Sequence, residues 1–201
     1  MRSLVLLSLL FAGCQGKDAN KAQPAQPAPT PTPAVESLPP MPSFPSPARG
    51  RLAAQSAGGP AEIKGEWAAE AGVCEQPPML QVVAQVEGTG TIVLLALPEK
   101  NRVTDYPVTT VGNGLPTPPA AQVGVQVFRK QGPAAYQASE GSVEIYAYEK
   151  TVSGRFGVTM RQISSNERIR YAGAFREIPI KQLDKSYCTV ADSASRARPH
   201  P

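Results

Sequence analysis

The sequence predicts an all-β domain, an antiparallel β-sandwich or partly open barrel of about 7–9 strands, behind a disordered N-terminal tether. Three observations predict it. From Glu62 onward, apolar and polar residues alternate one by one, the period of half-buried strands. Gly-, Pro- and Ser-containing turns separate these runs. No stretch carries a convincing 3.6-residue apolar period, so helices are not expected to build the core.

Taken in chain order, Arg2 places a positive charge before the apolar run Leu4–Phe11. That run has the length of an export signal and is too short to span a bilayer as a helix. Leu10-Phe11-Ala12-Gly13-Cys14 follows. It resembles the lipobox of bacterial lipoproteins, in which Leu, a small residue and Gly or Ala precede Cys; Phe11 stands where Leu is usual. The resemblance implies removal of residues 1–13 as a signal peptide, and a diacylglycerol thioether and an acylated (palmitate-type) amine on Cys14. Several acyl chains anchor durably where one binds marginally. Gln15, rather than Asp, follows the Cys. By the same resemblance this favours the outer membrane. The alternative is an ordinary secretory signal with an incidental Cys.

Residues 14–60 read as one low-complexity tether. Half of the 22 prolines fall between Pro24 and Pro60. Proline removes backbone donors and favours solvated polyproline II, and few large apolar residues are present to offset ordering entropy. Fully extended, at about 3.1 Å per residue, the spacer reaches on the order of 100 Å. Leu52–Ala57 could nucleate one helical turn. Residues 189–201 read as a disordered tail.

The remaining 61–188 has the size of one hydrophobic core. It holds 13 Lys plus Arg and 13 Asp plus Glu; the +4 of the whole chain lies in the flanks. A neutral domain argues against nucleic acid as partner. Cys74 and Cys188 lie near its two ends, and in an exported domain a disulfide between them is the natural reading. A reactive thiol pair is the alternative, without the Cys-x-x-Cys spacing that would support it.

Within the domain, Ile63, Gly65 and Trp67 form the inward set of a first strand, and Gly72–Pro78 a loop holding Cys74. Leu80, Val82, Ala84 and Val86 point inward from the next strand. Glu87-Gly88-Thr89-Gly90 turns the chain into Thr91–Leu97, apolar on both faces and therefore expected to be covered on both. Val103–Val111 reads as a strand placed at an edge by Pro107. Gln122–Arg129 puts Val123, Val125 and Val127 inward, with a short piece at Ala135–Ala138 beside it. Ser142–Tyr148, Val152–Ile163 and Arg168–Phe175 read as a three-strand meander.

The motif Gly141-x-Val143-x-Ile145, Gly154-x-Phe156 and Gly173-x-Phe175 with Ile178-Pro179-Ile180 is similar to a family of small uncharacterised bacterial envelope lipoproteins. The resemblance implies a β-sandwich-like domain and an envelope address, and carries no activity. The packing reason for the motif is that Phe156 and Phe175 sit on strands where a nearby glycine removes a side chain and lets an aromatic ring cover the gap.

Catalytic signals are sparse. The single His, His200, lies in the tail, so no Ser-His or Cys-His pair assembles in the core. No spacing matches a zinc site or a phosphate-binding Gly-rich loop, and no metal or cofactor is expected. Glu140, Glu144 and Glu149 are the carboxylates close enough in sequence to consider for acid–base work. One surface stands out. If the meander keeps its register, Arg155, Arg161, Arg168, Arg170 and Arg176 share an exposed face with Tyr146 and Tyr148. Arg suits carboxylate and phosphate, and Tyr suits stacking. That face would suit peptidoglycan, lipopolysaccharide or another envelope protein. It is also what the polar side of a one-face-buried sheet looks like.

The expectation is therefore a lipid-anchored envelope lipoprotein with a non-enzymatic binding or structural module. The alternatives are a small envelope enzyme or inhibitor using carboxylates, and a lipocalin-like carrier with an apolar cavity.

Overall fold

The computed structural model describes residues 37–59, 63–87, 89–110, 117–129, 132–165 and 167–188. The signal peptide, Cys14, the first part of the tether, Gly88 and the 189–201 tail lie outside the described residues. The strands are β1 (Arg51–Ala57), β2 (Lys64–Glu75), β3 (Pro78–Val86), β4 (Thr89–Ala96), β5 (Asp105–Pro107), β6 (Ala120–Arg129), β7 (Gly132–Tyr148), β8 (Thr151–Gln162) and β9 (Arg168–Gln182). A single helical turn, α1 (Lys185–Cys188), follows.

Eight strands close on themselves in the order β7-β6-β4-β3-β2-β1-β9-β8, with β8 returning to β7; β5 pairs with β7 outside the ring. The fold is thus a closed antiparallel barrel with one outside strand, rather than a sandwich or an open barrel. Closure removes the sheet edges, which would otherwise expose unpaired backbone groups.

Three boundaries differ from the sequence expectation. The barrel begins at Arg51, inside the segment read as tether. β1 is flanked by β2 (Leu52 opposite Trp67) and β9 (Leu52 opposite Phe175), and Leu52 and Ala54 are fully buried in the core. Its Ala-rich sequence has weak strand propensity, and two paired neighbours override it. β2, the expected first strand, is the second. The expected Cys74 loop is the continuation of β2, which turns tightly at Gln76-Pro77 into β3. Of the expected strand Val103–Val111, whose last residue lies outside the described residues, only Asp105–Pro107 forms β5, where exposed Pro107 does lie on an edge.

β7 is one strand of 17 residues, where the sequence suggested two pieces. Its inward set runs Ala134, Tyr136, Ala138 and then Val143, Ile145. The parity changes because the register against β8 shifts between Ala138 and Glu140. A β-bulge of this kind inserts a residue and hides a continuous strand from a strict period of two. The bulge region includes Gly141 at φ 115°, where a Cβ would collide with the Gly157 carbonyl.

Eight strands leave a lumen just wide enough for side chains to fill. Leu80, Leu95, Phe156, Tyr171 and Phe175 fill it, all essentially unexposed. Tyr171 brings a hydroxyl into this apolar space and pairs it with Thr91 Oγ1 at 2.6 Å. Burial pushes the Tyr171 phenol well above its ordinary value, so it stays neutral. Cys74 and Cys188 form the expected disulfide, with Cα atoms 5.7 Å apart. It ties the end of β2 to α1 beyond β9, and Leu183 packs over Gly72 beside it.

Residues 37–49 form a proline-rich strap across the outer wall of β1, β9 and β8. Pro39 lies against Gly58, and Phe44 and Met41 lie over Gly157. Gln55 Nε2 donates to the Ser43 carbonyl at 2.8 Å, and Ala48 N–H donates to Glu66 at 3.1 Å. The wall beneath is made of small residues. Ala53, Ala172 and Ala174 point away from the lumen yet are buried.

Candidate functional site

The five arginines of the expected face stand on the outer wall of β8 and β9, and carboxylates and the strap engage several of them. Arg155 pairs with Glu144 at 2.5 Å, and its guanidinium lies 5.1 Å from the centre of the Phe44 ring. Arg168 pairs with Glu140 at 3.1 Å, and Arg176 with Glu177 at 3.3 Å. Glu177 also receives Arg49 from the strap. Arg161 is exposed, opposite Arg168 in the register. Arg170 is half-buried; it donates to Thr159 Oγ1, while its Nε is buried without a partner. The strap and the carboxylates thus occupy much of this surface.

The two tyrosines, by contrast, separate. Tyr146 is exposed, whereas Tyr148 packs partly against the core. A second register shift between Ile145 and Ala147 inverts the alternation there, so Ala147 is exposed instead of facing inward. The Tyr148 hydroxyl accepts from Arg102 at 3.1 Å, under a guanidinium 5.1 Å from its ring centre. Tyr106 completes this corner by donating to the Arg102 carbonyl at 2.8 Å. Burial, reinforced by the nearby Tyr148, pushes the Tyr106 phenol up to about 12. Of the three carboxylates, Glu140 and Glu144 are committed to arginines on the outer wall, and Glu149 lies exposed in the β7–β8 turn. No group of three or more His, Cys, Asp or Glu among the described residues could hold a metal ion.

A different surface is concave. On the outer wall of β3, β4, β6 and the start of β7 lies a groove of about 410 Å³. Strand pairing sets its pattern. One row reads Val83, Ile92, Gly124, Gln137, and the next Gln85, Gly90, Gln126, Ala135. Leu94 and Gln122 continue it toward one end, and Ile163 from the end of β8 closes the other. The floor is low where Gly90 and Gly124 have no side chain. A Cβ on Gly124 would lie 3.2 Å from Ile92 Cγ2.

Among the described residues no Asp, Glu, Lys, Arg or His lines this groove. Gln85, Gln122, Gln126 and Gln137 stand around an aliphatic floor, and none of their side-chain amides pairs with a described residue. The neighbouring rim carries exposed apolar residues, Ile163 at 71% and Phe128 at 59%, and one cation, Arg161, the partner of Gln137 in the register. The arrangement offers amide donors and acceptors beside aliphatic surface, without charge in its described lining.

The sequence carried a signal for this surface. Thr91–Leu97 is apolar on both faces, which suggested cover on both sides. Val93 and Leu95 do face the lumen, but Ile92 and Leu94 face the groove and stay half-exposed. A strand apolar on both faces in a barrel with one buried side marks an outward apolar patch. No protein-family model, curated protein or solved structure matches this chain.

Proposed function

We propose that this protein is a lipid-anchored binding module of the bacterial cell envelope, displayed from a membrane by its proline-rich N-terminal segment. The address rests on the lipobox-like run ending at Cys14, with Gln15 favouring the outer membrane. The observation that carries the binding role is the contrast between the two sides of the barrel wall. The lumen is filled with side chains, while the outer wall of β3, β4 and β6 holds an uncharged concave surface. A filled lumen disfavours a lipocalin-like carrier, which needs the space inside. Carboxylates already paired with arginines disfavour acid–base chemistry on the outer wall. The same pairs weaken the case for peptidoglycan or lipopolysaccharide phosphates as ligands and favour a protein partner in the envelope.

The anchor is tested by labelling cells of a Gram-negative host that express the full chain with radioactive palmitate. The wild-type chain takes up label and sediments with membranes, and Cys14→Ser does neither. An unlabelled wild-type chain, or a Cys14→Ser chain that still fractionates with membranes, would overturn the lipoprotein reading.

A further inference from the structure

We infer that the groove on β3, β4 and β6 is a docking site for a neutral, proline-rich, extended segment of a partner polypeptide. The inference rests on the binding half of the proposed function and is independent of the lipid anchor.

The first argument is charge. Among the described residues no acidic or basic side chain lines the groove, and Arg161 stands beside it next to Gln137, whereas the wall of β1, β2, β8 and β9 carries Lys64, Glu66, Glu70, Arg155 and Arg168. A charged group entering the groove loses hydration and meets no counter-charge among the described lining residues. A neutral occupant carries no such penalty.

The second argument is the chemistry of the amides. A proline-rich chain presents backbone carbonyls but few N–H donors, because proline has none. It therefore needs donors from its receptor. Gln122, Gln126, Gln137 and Gln85 place four carboxamide groups around one aliphatic floor, and the described protein leaves all four amides unpaired. Their NH₂ groups can serve carbonyls while Ile92, Leu94 and Val83 take pyrrolidine rings. A polyproline II segment also loses little conformational entropy on docking.

The third argument is that this barrel already holds such a segment, in part through a glutamine amide over a floor of small residues. The strap Ser37–Arg49 contains Pro39, Pro40, Pro42, Pro45 and Pro47. It lies over Ala53, Gly157, Ala172 and Ala174, and Gln55 Nε2 donates to its Ser43 carbonyl at 2.8 Å. Gly90, Gly124 and Ala135 repeat the low floor on the other side of the barrel, and the four glutamines repeat the donor. A second copy of the barrel fits the concavity less well, since two hollows meeting face to face leave a void.

The test is titration of the ¹⁵N-labelled full chain carrying Cys14→Ser with a capped 12-residue peptide of alternating proline and alanine. Saturable shifts are expected at Gly90, Gly124 and the side-chain amides of Gln122, Gln126 and Gln137. The double variant Gln122→Ala/Gln126→Ala should weaken binding at least fivefold with an unchanged thermal melt, and Glu70→Gln should have no effect. The same peptide with two alanines replaced by aspartate should bind at least fivefold more weakly at low and high salt alike. No saturable binding, shifts centred on Gly157 and the strap, or equal binding of the acidic peptide would each overturn the proposal. So would self-association in sedimentation that the double glutamine variant abolishes, which would make the groove a contact between copies. None of these outcomes bears on palmitate labelling, so the two proposals fail separately.

Discussion

Phe156 and Gly173 face each other across β8 and β9, and the phenyl ring occupies the space that a Cβ on Gly173 would need. Two residues along, the relation is reversed: Phe175 lies over Gly154, its Cζ 2.6 Å from where a Cβ would stand. The Phe156 ring sits beside Tyr171, their ring centres 5.6 Å apart. Each aromatic residue thus depends on a glycine of the neighbouring strand. Gly173→Ala is expected to cost about 1–3 kcal/mol through overpacking. Phe156→Ala is expected to cost about 3–5 kcal/mol. Removing the ring relieves the clash, so the double variant should cost less than the sum by about 0.5–3 kcal/mol. Urea unfolding of the four proteins closes the cycle; strict additivity would refute the coupling.

Where the domain begins can be tested by truncation. A fragment of residues 61–188 lacks β1 and leaves β2 unpaired on one side from Lys64 to Ala68 and β9 from Arg170 to Arg176, so that only the short direct pairing of Ala71–Val73 with Ile180–Gln182 joins the two strands. It is expected to show no cooperative melt and poor amide dispersion. A fragment of residues 37–188 keeps β1 and the strap and is expected to melt as the full chain does. Circular dichroism and ¹⁵N spectra separate the two cases, and a well-folded shorter fragment would show β1 to be dispensable.

The strap should contribute modestly. Phe44 covers Gly157 and lies beneath Arg155, but it remains 46% exposed. Full burial of such a side chain is worth roughly 1.5–3 kcal/mol, so Phe44→Ala should cost about 1 kcal/mol. The exposed Arg155–Glu144 pair beside it should contribute less than about 1 kcal/mol, and less again in high salt. A thermal-melt series with Phe44→Ala, Arg155→Ala and Glu144→Ala measures both.

The Cys74–Cys188 bond spans a sequence separation of 114 residues. In the chain-entropy account, a loop of that size contributes about 5 kcal/mol by restricting the unfolded chain. Cys74→Ser/Cys188→Ser should lower the urea midpoint correspondingly, and a reductant should do the same to the wild type once the bond is exposed. An unchanged midpoint would show that the barrel compensates for the lost crosslink.

Alkaline pH offers a further check. The Tyr106 phenol is held up at about 12 in the folded protein, against 10.0 for its ordinary value. Between these limits the unfolded chain has released its proton and the folded chain has not. The unfolded state then binds fewer protons, so stability falls as pH rises. The contribution is complete below pH 10 and is lost as pH passes through about 12. Tyr106→Phe should flatten the fall in melting temperature over that window, measured against the wild type.

Local alternation, by itself, determined which side chains of most strands face the lumen. Leu80, Val82 and Ala84, Val123, Val125 and Val127, and Phe156, Val158 and Met160 follow from a period of two that each strand carries in its own residues. The all-β class and the glycine gaps beside Phe156 and Phe175 were legible in the same local pattern, and the Cys74–Cys188 pair in the count of cysteines left to an exported domain. Tertiary structure alone decided three other things. β1 is a strand because β2 and β9 pair with it on both sides, and its Ala-rich residues carry no local signal of that. The bulges near Ser139 and Tyr146 invert the alternation because β8 shifts register against β7, which is why Tyr148 left the expected face. Finally, the cover of each outer wall is set by distant chain segments. The strap lies over Ala172 and Ala174, while no described segment lies over Ile92 and Leu94. Periodicity reports which residues share a face; only the closed barrel and the path of the strap decide what that face meets.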